Sequence, residues 1–210
     1  QTEQTSTPMP KGSNFSMGES LELPKGEKAR FRANVDAIRL IKRLESEGRY
    51  ATAEEQEVLS KYVGWGGLSN AFGELRYNQT SRKSEMTAKT GWEKEFEELR
   101  QLVTDGVISE EEYKAMSAST KNAHYTSLEV IRAMYDGLAR LGYTGGRMLE
   151  PSAGVGNFVG GMPTEMSRNV RSWTLVELDR ITGQIAKYLY PNADVRIQGF
   201  ETANIPDGYM

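Results

Sequence analysis

A chain of 210 residues with 38% hydrophobic, 26% charged and 9% aromatic residues has the make-up of an ordinary globular protein, long enough for one generous domain or two parts; fibrous, collagenous and wholly disordered classes are excluded. It has no cysteine, which excludes disulfides and thiolate metal sites, and one histidine, which excludes a histidine metal cluster. A net charge of −3 makes no global case for nucleic-acid binding, and no apolar run approaches the roughly 20 residues of a membrane span or forms a secretory signal, so a cytoplasmic location is the expectation.

Residues 1–24 are polar and are expected to form a disordered tail. Residues 25–120 read as a helical N-terminal region. Its first stretch carries Lys25, Lys28, Arg30, Arg32, Arg39, Lys42 and Arg43 against Glu27 and Asp36, a basic patch that either tracks phosphates or is a solvated helix face. Asn34 can cap a helix whose apolar positions Ala37, Ile38, Ile41 and Leu44 recur at helical spacing until Gly48. Thr52 and Glu55 form a capping-box pattern ahead of Val58, Leu59, Tyr62 and Val63, so two helices make a hairpin. That pattern runs into Gly64-Trp65-Gly66-Gly67, where glycines around an aromatic stop the helix and allow close packing. Trp65 then serves as a packing anchor between the two parts or as a base-stacking platform. A helix with Trp92, Phe96, Leu99 and Val103 ends near Asp105-Gly106, and Ser109 with Glu112 starts a shorter one.

From residue 121 the elements alternate, the mark of an α/β sheet wound with helices. Thr126 or Ser127 can cap a helix bearing Leu128, Ile131, Met134, Tyr135 and Leu138, closed by Gly142. Strands are predicted at Arg147–Glu150, Trp173–Glu177 and Asp194–Ile197, with a helix carrying Ile181, Ile185 and Leu189 before the last.

The chemistry concentrates after the first of these strands, in Glu150-Pro151-Ser152-Ala153-Gly154-Val155-Gly156-Asn157-Phe158. Gly154 and Gly156 permit a tight turn whose N–H groups can approach a nucleotide-type ligand at a helix start. The bland alternative is a turn with no ligand, and Tyr125 and Phe158 can equally be core residues. The dinucleotide pattern G-x-G-x-x-G fails at Val159, which disfavours a nicotinamide enzyme. Glu177, about 20 residues on, can accept both hydroxyl protons of an unphosphorylated ribose and is preferred over Asp179 for that role. His124 reads as a solvent-facing cap residue.

The Glu150–Phe158 string resembles the first motif of class-I S-adenosylmethionine-dependent methyltransferases, in the variant of the amino-methylating DNA enzymes. Asn122-Ala123-His124-Tyr125-Thr126-Ser127 resembles the aromatic-Thr-Pro motif of the gamma-type N6-adenine methyltransferases, with Ser127 in place of the Pro. Val176-Glu177-Leu178-Asp179 resembles the second motif, and Gln198-Gly199-Phe200 stands where the family commonly has Asp-Phe. The resemblance implies a partial doubly wound, Rossmann-like sheet over 121–210 that binds S-adenosylmethionine. Tyr125 and Thr126 are then assigned to the methionine end, Glu150, Pro151, Ser152, Ala153, Gly154, Gly156 and Phe158 to the loop, Glu177 to the ribose and Phe200 to the adenine. Gly199 lacks the family carboxylate, so adenine contact falls to backbone groups or to a neighbour such as Glu201. The family's catalytic Asn-Pro-Pro-aromatic string, which follows the fourth strand, is absent. The resemblance puts it beyond Met210, so the chain is expected to be a truncated half, inactive alone.

The string Tyr62-Val63-Gly64-Trp65-Gly66-Gly67-Leu68, with Asn34, Glu54-Glu55-Gln56 and Leu59 before it and Asn122–Thr126 after it, is similar to the start of large proteins of conjugative elements and phages. In these an N6-methylase-like domain is fused to a helicase. That likeness implies DNA as partner, a helicase domain in the same polypeptide, no membrane, and modification or anti-restriction of mobile DNA. The alternative is an inactive methyltransferase-fold module that recognises DNA or scaffolds the helicase, which Gly199 and Ser127 favour.

Overall fold

A computed structural model describes residues 12–18, 21–122, 125–206 and 208. It is a mixed α/β structure: a helical N-terminal region followed by a small parallel sheet of three strands.

Helix α1 (Glu27–Glu47) buries Phe31, Val35, Ile38, Ile41 and Leu44 along one face and ends at Gly48, whose left-handed φ of 61° closes it as expected. It begins at Glu27, directly after Gly26 and well before Asn34. Asn34 is therefore no cap: it lies fully buried in mid-helix, its Nδ2 donating to the Gly64 carbonyl (2.7 Å) and its Oδ1 accepting from the Val63 N–H (3.0 Å). A side chain that can satisfy its own helix start can equally satisfy the backbone of a distant segment, and here the tertiary partner wins. Helix α2 (Ala53–Leu59) carries the expected capping box of Thr52 and Glu55.

The chain then departs from the helical expectation. Residues Glu74–Asn78 (β1) and Lys83–Thr87 (β2) pair as an antiparallel hairpin, Leu75 opposite Met86 and Tyr77 opposite Ser84. Asn78 builds its turn by accepting the N–H groups of Thr80 and Ser81. Helices α3 (Glu93–Thr104) and α4 (Glu110–Ser119) follow, the latter with the predicted Ser109–Glu112 capping box.

Helix α5 (Leu128–Arg140) is capped by Ser127. Strand β3 (Gly146–Glu150), helices α6 (Asn157–Gly161) and α7 (Thr164–Ser167), β4 (Val170–Glu177), α8 (Arg180–Leu189) and β5 (Asp194–Ile197) complete the order. The sheet runs β3-β4-β5, all parallel, with the buried run Trp173–Val176 in the centre. A parallel sheet needs cover on its faces. Helix α8 turns Ile181, Ile185 and Leu189 inward and also touches α1 and α2, so one hydrophobic cluster runs from Phe31 and Leu59 through Ile185 to Tyr190.

Part of the tail belongs to that packing. The Phe15 N–H donates to the Leu189 carbonyl and the Met17 N–H to the Gly160 carbonyl, and Met17 is buried. The expectation of a disordered tail is corrected for this stretch, because its backbone finds carbonyl partners on α8 and α6. Residues 1–11, 19 and 20 lie outside the described residues, as do Asp207, Tyr209 and Met210 at the other end. The expected position of the catalytic string, beyond Met210, therefore falls outside what the structure describes. Gln56, buried on α2, ties the tail to α8: its Nε2 donates to the carbonyls of Ser13 (3.0 Å), Tyr188 (3.0 Å) and Leu189 (3.2 Å). Gln56→Leu removes this donor from the Ser13 and Tyr188 carbonyls, while Leu189 keeps the Phe15 N–H, and is expected to cost about 2 kcal/mol in urea denaturation; a change below about 0.5 kcal/mol would remove Gln56 from the joint. Among the described residues no helix is long and apolar enough to cross a membrane.

Candidate functional site

The carboxyl ends of β3 and β4 carry the two acidic residues singled out in the sequence, Glu150 and Glu177, and the crevice outside such ends is where parallel sheets hold ligands. The loop after β3 is pinned by the Ala153 N–H on the Val176 carbonyl at 2.9 Å. Gly154 adopts φ 56°, and its N–H donates to Glu177 Oε2 at 2.8 Å, while the Asp179 N–H donates to Glu177 Oε1 at 2.8 Å. Asp179 caps α8 by accepting the Thr182 N–H at 2.8 Å. Each Glu177 oxygen thus holds one backbone donor and keeps acceptor capacity for another.

These groups border a cavity of about 590 Å³, within the range of small-molecule sites. Of the residues expected at a ligand, Tyr125, Thr126, Glu150, Ser152, Ala153, Gly154, Phe158 and Glu177 line it. Pro151, Gly156 and Phe200 are not in its wall. Gly156 has φ 82° and faces the Tyr190 ring, so its lack of a side chain serves packing beneath the loop. Phe200 begins a short 3-10 turn (Phe200–Thr202) and is 46% exposed. The Glu201 carboxylate folds over Gly199, into the space a side chain there would take.

Glu150 is the most perturbed acid in the crevice. Burial first, and the nearby Glu177 charge second, push its carboxyl up to about 8. Its Oε2 is buried and meets no hydrogen-bond donor among the described residues. Burial also raises the Glu177 carboxyl, opposed by the N–H groups of Asp179 and Gly154.

Sequence reasoning missed the second wall. Tyr62, Gly64 and Trp65 from the N-terminal region line the cavity, together with Asn122, Asp179 and Thr182. Trp65 is 1% exposed and packs edge-on against Phe31 and Phe72, so these ring contacts anchor it within the N-terminal region and not between the two parts. The signal available was the run of glycines around Trp65, which announces close packing without saying against what. Among the described residues no lysine or arginine lines the cavity, whereas Glu150, Glu177 and Asp179 all do. Ala123 and His124 lie outside the described residues.

Five basic residues of the stretch on α1 form ion pairs within the chain. Lys28 pairs with Glu95, Arg32 and Arg39 with Glu98, Lys42 with Glu112 and Arg43 with Glu55, while Arg30 donates to the Gly66 carbonyl. These pairs lace the helix face to α3, α4 and α2. No group of acidic or histidine side chains among the described residues is arranged to hold a metal. No family model, curated protein or solved structure matches the chain.

Proposed function

We propose that this cavity binds S-adenosylmethionine, and that the chain is the cofactor-binding half of a Rossmann-like class-I methyltransferase domain directed at adenine N6 in DNA. One observation carries the reading: a glycine turn at the end of a parallel strand opens onto carboxylates with no lysine or arginine beside them among the described residues. A dinucleotide or a nucleoside triphosphate would bring phosphates against the acidic side chains of Glu177 and Asp179 with no lysine or arginine among the described residues of the wall to offset them, a like-charge clash. A ligand with ribose hydroxyls, an ammonium and a sulfonium meets the opposite: acceptors for its hydroxyls and negative charge for its cations.

The residues fit the methionine and ribose ends of that cofactor. Glu177 has acceptor capacity for hydroxyls, Glu150 offers an unsatisfied buried oxygen, and Tyr125, Thr126 and Phe158 flank them. At the adenine end the fit is thinner, because Gly199 has no carboxylate and only Glu201 stands near it. Bound there, the cofactor supplies a methyl group activated for transfer to a nitrogen. The side chains of this chain hold and orient it and keep water from the carboxylates. The Asn-Pro-Pro-aromatic string does not occur in these 210 residues, so the activity proposed for the chain itself is cofactor binding. DNA as substrate, a helicase domain in the same polypeptide and a cytoplasmic role in protecting mobile DNA rest on the sequence resemblance. The Gly199 departure favours a second reading, a methyltransferase-like module that no longer takes cofactor and scaffolds a DNA-acting partner.

Calorimetric titration separates the two. Wild-type protein is expected to bind S-adenosylmethionine and to give no heat with NAD or ATP, and Glu177→Ala is expected to weaken binding by about 1–3 kcal/mol, the scale of an unsatisfied polar partner. Silence with S-adenosylmethionine would leave only the scaffold reading, and unchanged affinity in Glu177→Ala would move the ribose role to Asp179.

A further inference from the structure

The wall of the cavity facing Glu177 is built by a relay that starts in the N-terminal region. Asn34 holds the Val63 N–H and the Gly64 carbonyl at once, at 0% exposure and from the middle of α1. Gly64, held in this way at φ 66°, presents a bare Cα to the Tyr125 ring: a Cβ there would stand 2.5 Å from Tyr125 Cε2. On the other side of the same ring, a Cβ on Gly154 would stand 2.7 Å from Tyr125 Cε1. The ring is clasped between two glycines, one from each part of the chain, and its hydroxyl reaches Thr182 at the start of α8. Both glycines need positive φ and both need to lack a side chain.

We infer that Asn34 is a positioning residue for the ligand cavity: by fixing the Val63–Gly64 turn it seats the Tyr125 ring on Gly154 and so sets the wall opposite Glu177. The N-terminal region is then part of the binding site and not an appended module. A buried asparagine side chain costs free energy unless its amide is satisfied, and at Asn34 both ends of the amide are spent on this one turn. The effect on affinity rests on the cofactor reading above, while the seating of Tyr125 stands apart from it.

Nitration by tetranitromethane tests the seating without any ligand, because it attacks tyrosine at the ring carbons next to the hydroxyl, Cε1 and Cε2, the two atoms that the glycines cover. In the full chain, with exposed Tyr77 as internal reference, Tyr125 is expected to resist nitration. Asn34→Leu and Gly64→Ala are each expected to speed its nitration about tenfold and to weaken S-adenosylmethionine binding by about tenfold, the effect of roughly 1.4 kcal/mol. Gln56→Leu, which loosens the fold elsewhere, is the control: its folded fraction should bind with wild-type affinity. In a Tyr125→Leu background the Gly64→Ala change should cost little further affinity, since the ring it would strike is gone. Unchanged nitration in both variants would overturn the inference. So would unchanged affinity alongside faster nitration, or equal loss of affinity in Gln56→Leu. Should wild-type protein give no binding heat, the cofactor reading fails, and the nitration rates alone decide whether Asn34 seats Tyr125.

Discussion

Gly156→Ala is expected to destabilise the protein by about 3 kcal/mol, against about 1 kcal/mol for Gly142→Ala. Both glycines sit at positive φ, 82° and 88°, so both substitutions force an L side chain into the left-handed region. The difference is what the new methyl meets. At Gly142 nothing lies within 4 Å, so the cost is conformational alone. At Gly156 the methyl lands 2.5 Å from Cε2 and 2.8 Å from Cδ2 of Tyr190, a ring at 0% exposure that has no room to retreat in a close-packed core. Urea denaturation of the two variants measures the gap. Truncation of the ring in a Gly156→Ala, Tyr190→Leu double variant should recover about 1–2 kcal/mol relative to additivity, because the overlap is removed. Equal penalties at positions 142 and 156, or strict additivity, would mean that the Tyr190 ring does not dictate this glycine.

That pair of glycines also shows what was readable in the chain beforehand. The need for Gly154 and Gly156 was evident from their position between a strand and a helix, but their different tasks were not. Gly154 clasps Tyr125 at the cavity, whereas Gly156 packs on Tyr190, and the ring that each faces is set by tertiary structure. Elements with local chemistry were legible. The Thr52 and Ser109 capping boxes and the strand Asp194–Ile197 stand where their own residues put them. The hairpin Glu74–Thr87 was not, because its strands are short, exposed and without β-branched runs, so only the Asn78 turn announces it. Asn34 was misread for a related reason: a cap and a buried amide clamp look alike until the partner, some 30 residues away, is known. The partners of the basic stretch of α1 were not legible either, since the acids that pair with Lys28, Arg32 and Lys42 lie on α3 and α4. The loop side of the cavity was legible because one continuous string supplies it. The Tyr62–Trp65 side was not, because it comes from a different part of the chain.

Glu150→Gln is expected to abolish a pH dependence of stability that Glu150 alone imposes. In the folded chain burial, helped by Glu177, raises this carboxyl to about 8, whereas in the unfolded chain it ionises near the ordinary value of about 4.3. A raised folded value means that the native state holds a proton that the unfolded state releases. The contribution is fully present below about pH 4, declines as pH rises, and is lost by about pH 8, on the order of 5 kcal/mol in all. The amide of Glu150→Gln carries no such proton, so the variant should gain on wild type steadily between about pH 5 and pH 8 and exceed it at the upper end. Urea denaturation of both proteins at several pH values reads this directly, and parallel curves would refute it. The same proton reports on the ligand. A cation beside the unsatisfied Oε2 favours the charged carboxylate, so binding a cationic ligand near pH 7 must expel the proton into solution. Calorimetry in two buffers of different ionisation enthalpy should therefore give buffer-dependent heats for wild type and buffer-independent heats for Glu150→Gln. A neutral or anionic ligand would release nothing. The oxygen that weakens the empty fold at neutral pH is thus the one whose ionisation a sulfonium or ammonium ligand stabilises, which ties the class of ligand to a number of protons that can be counted.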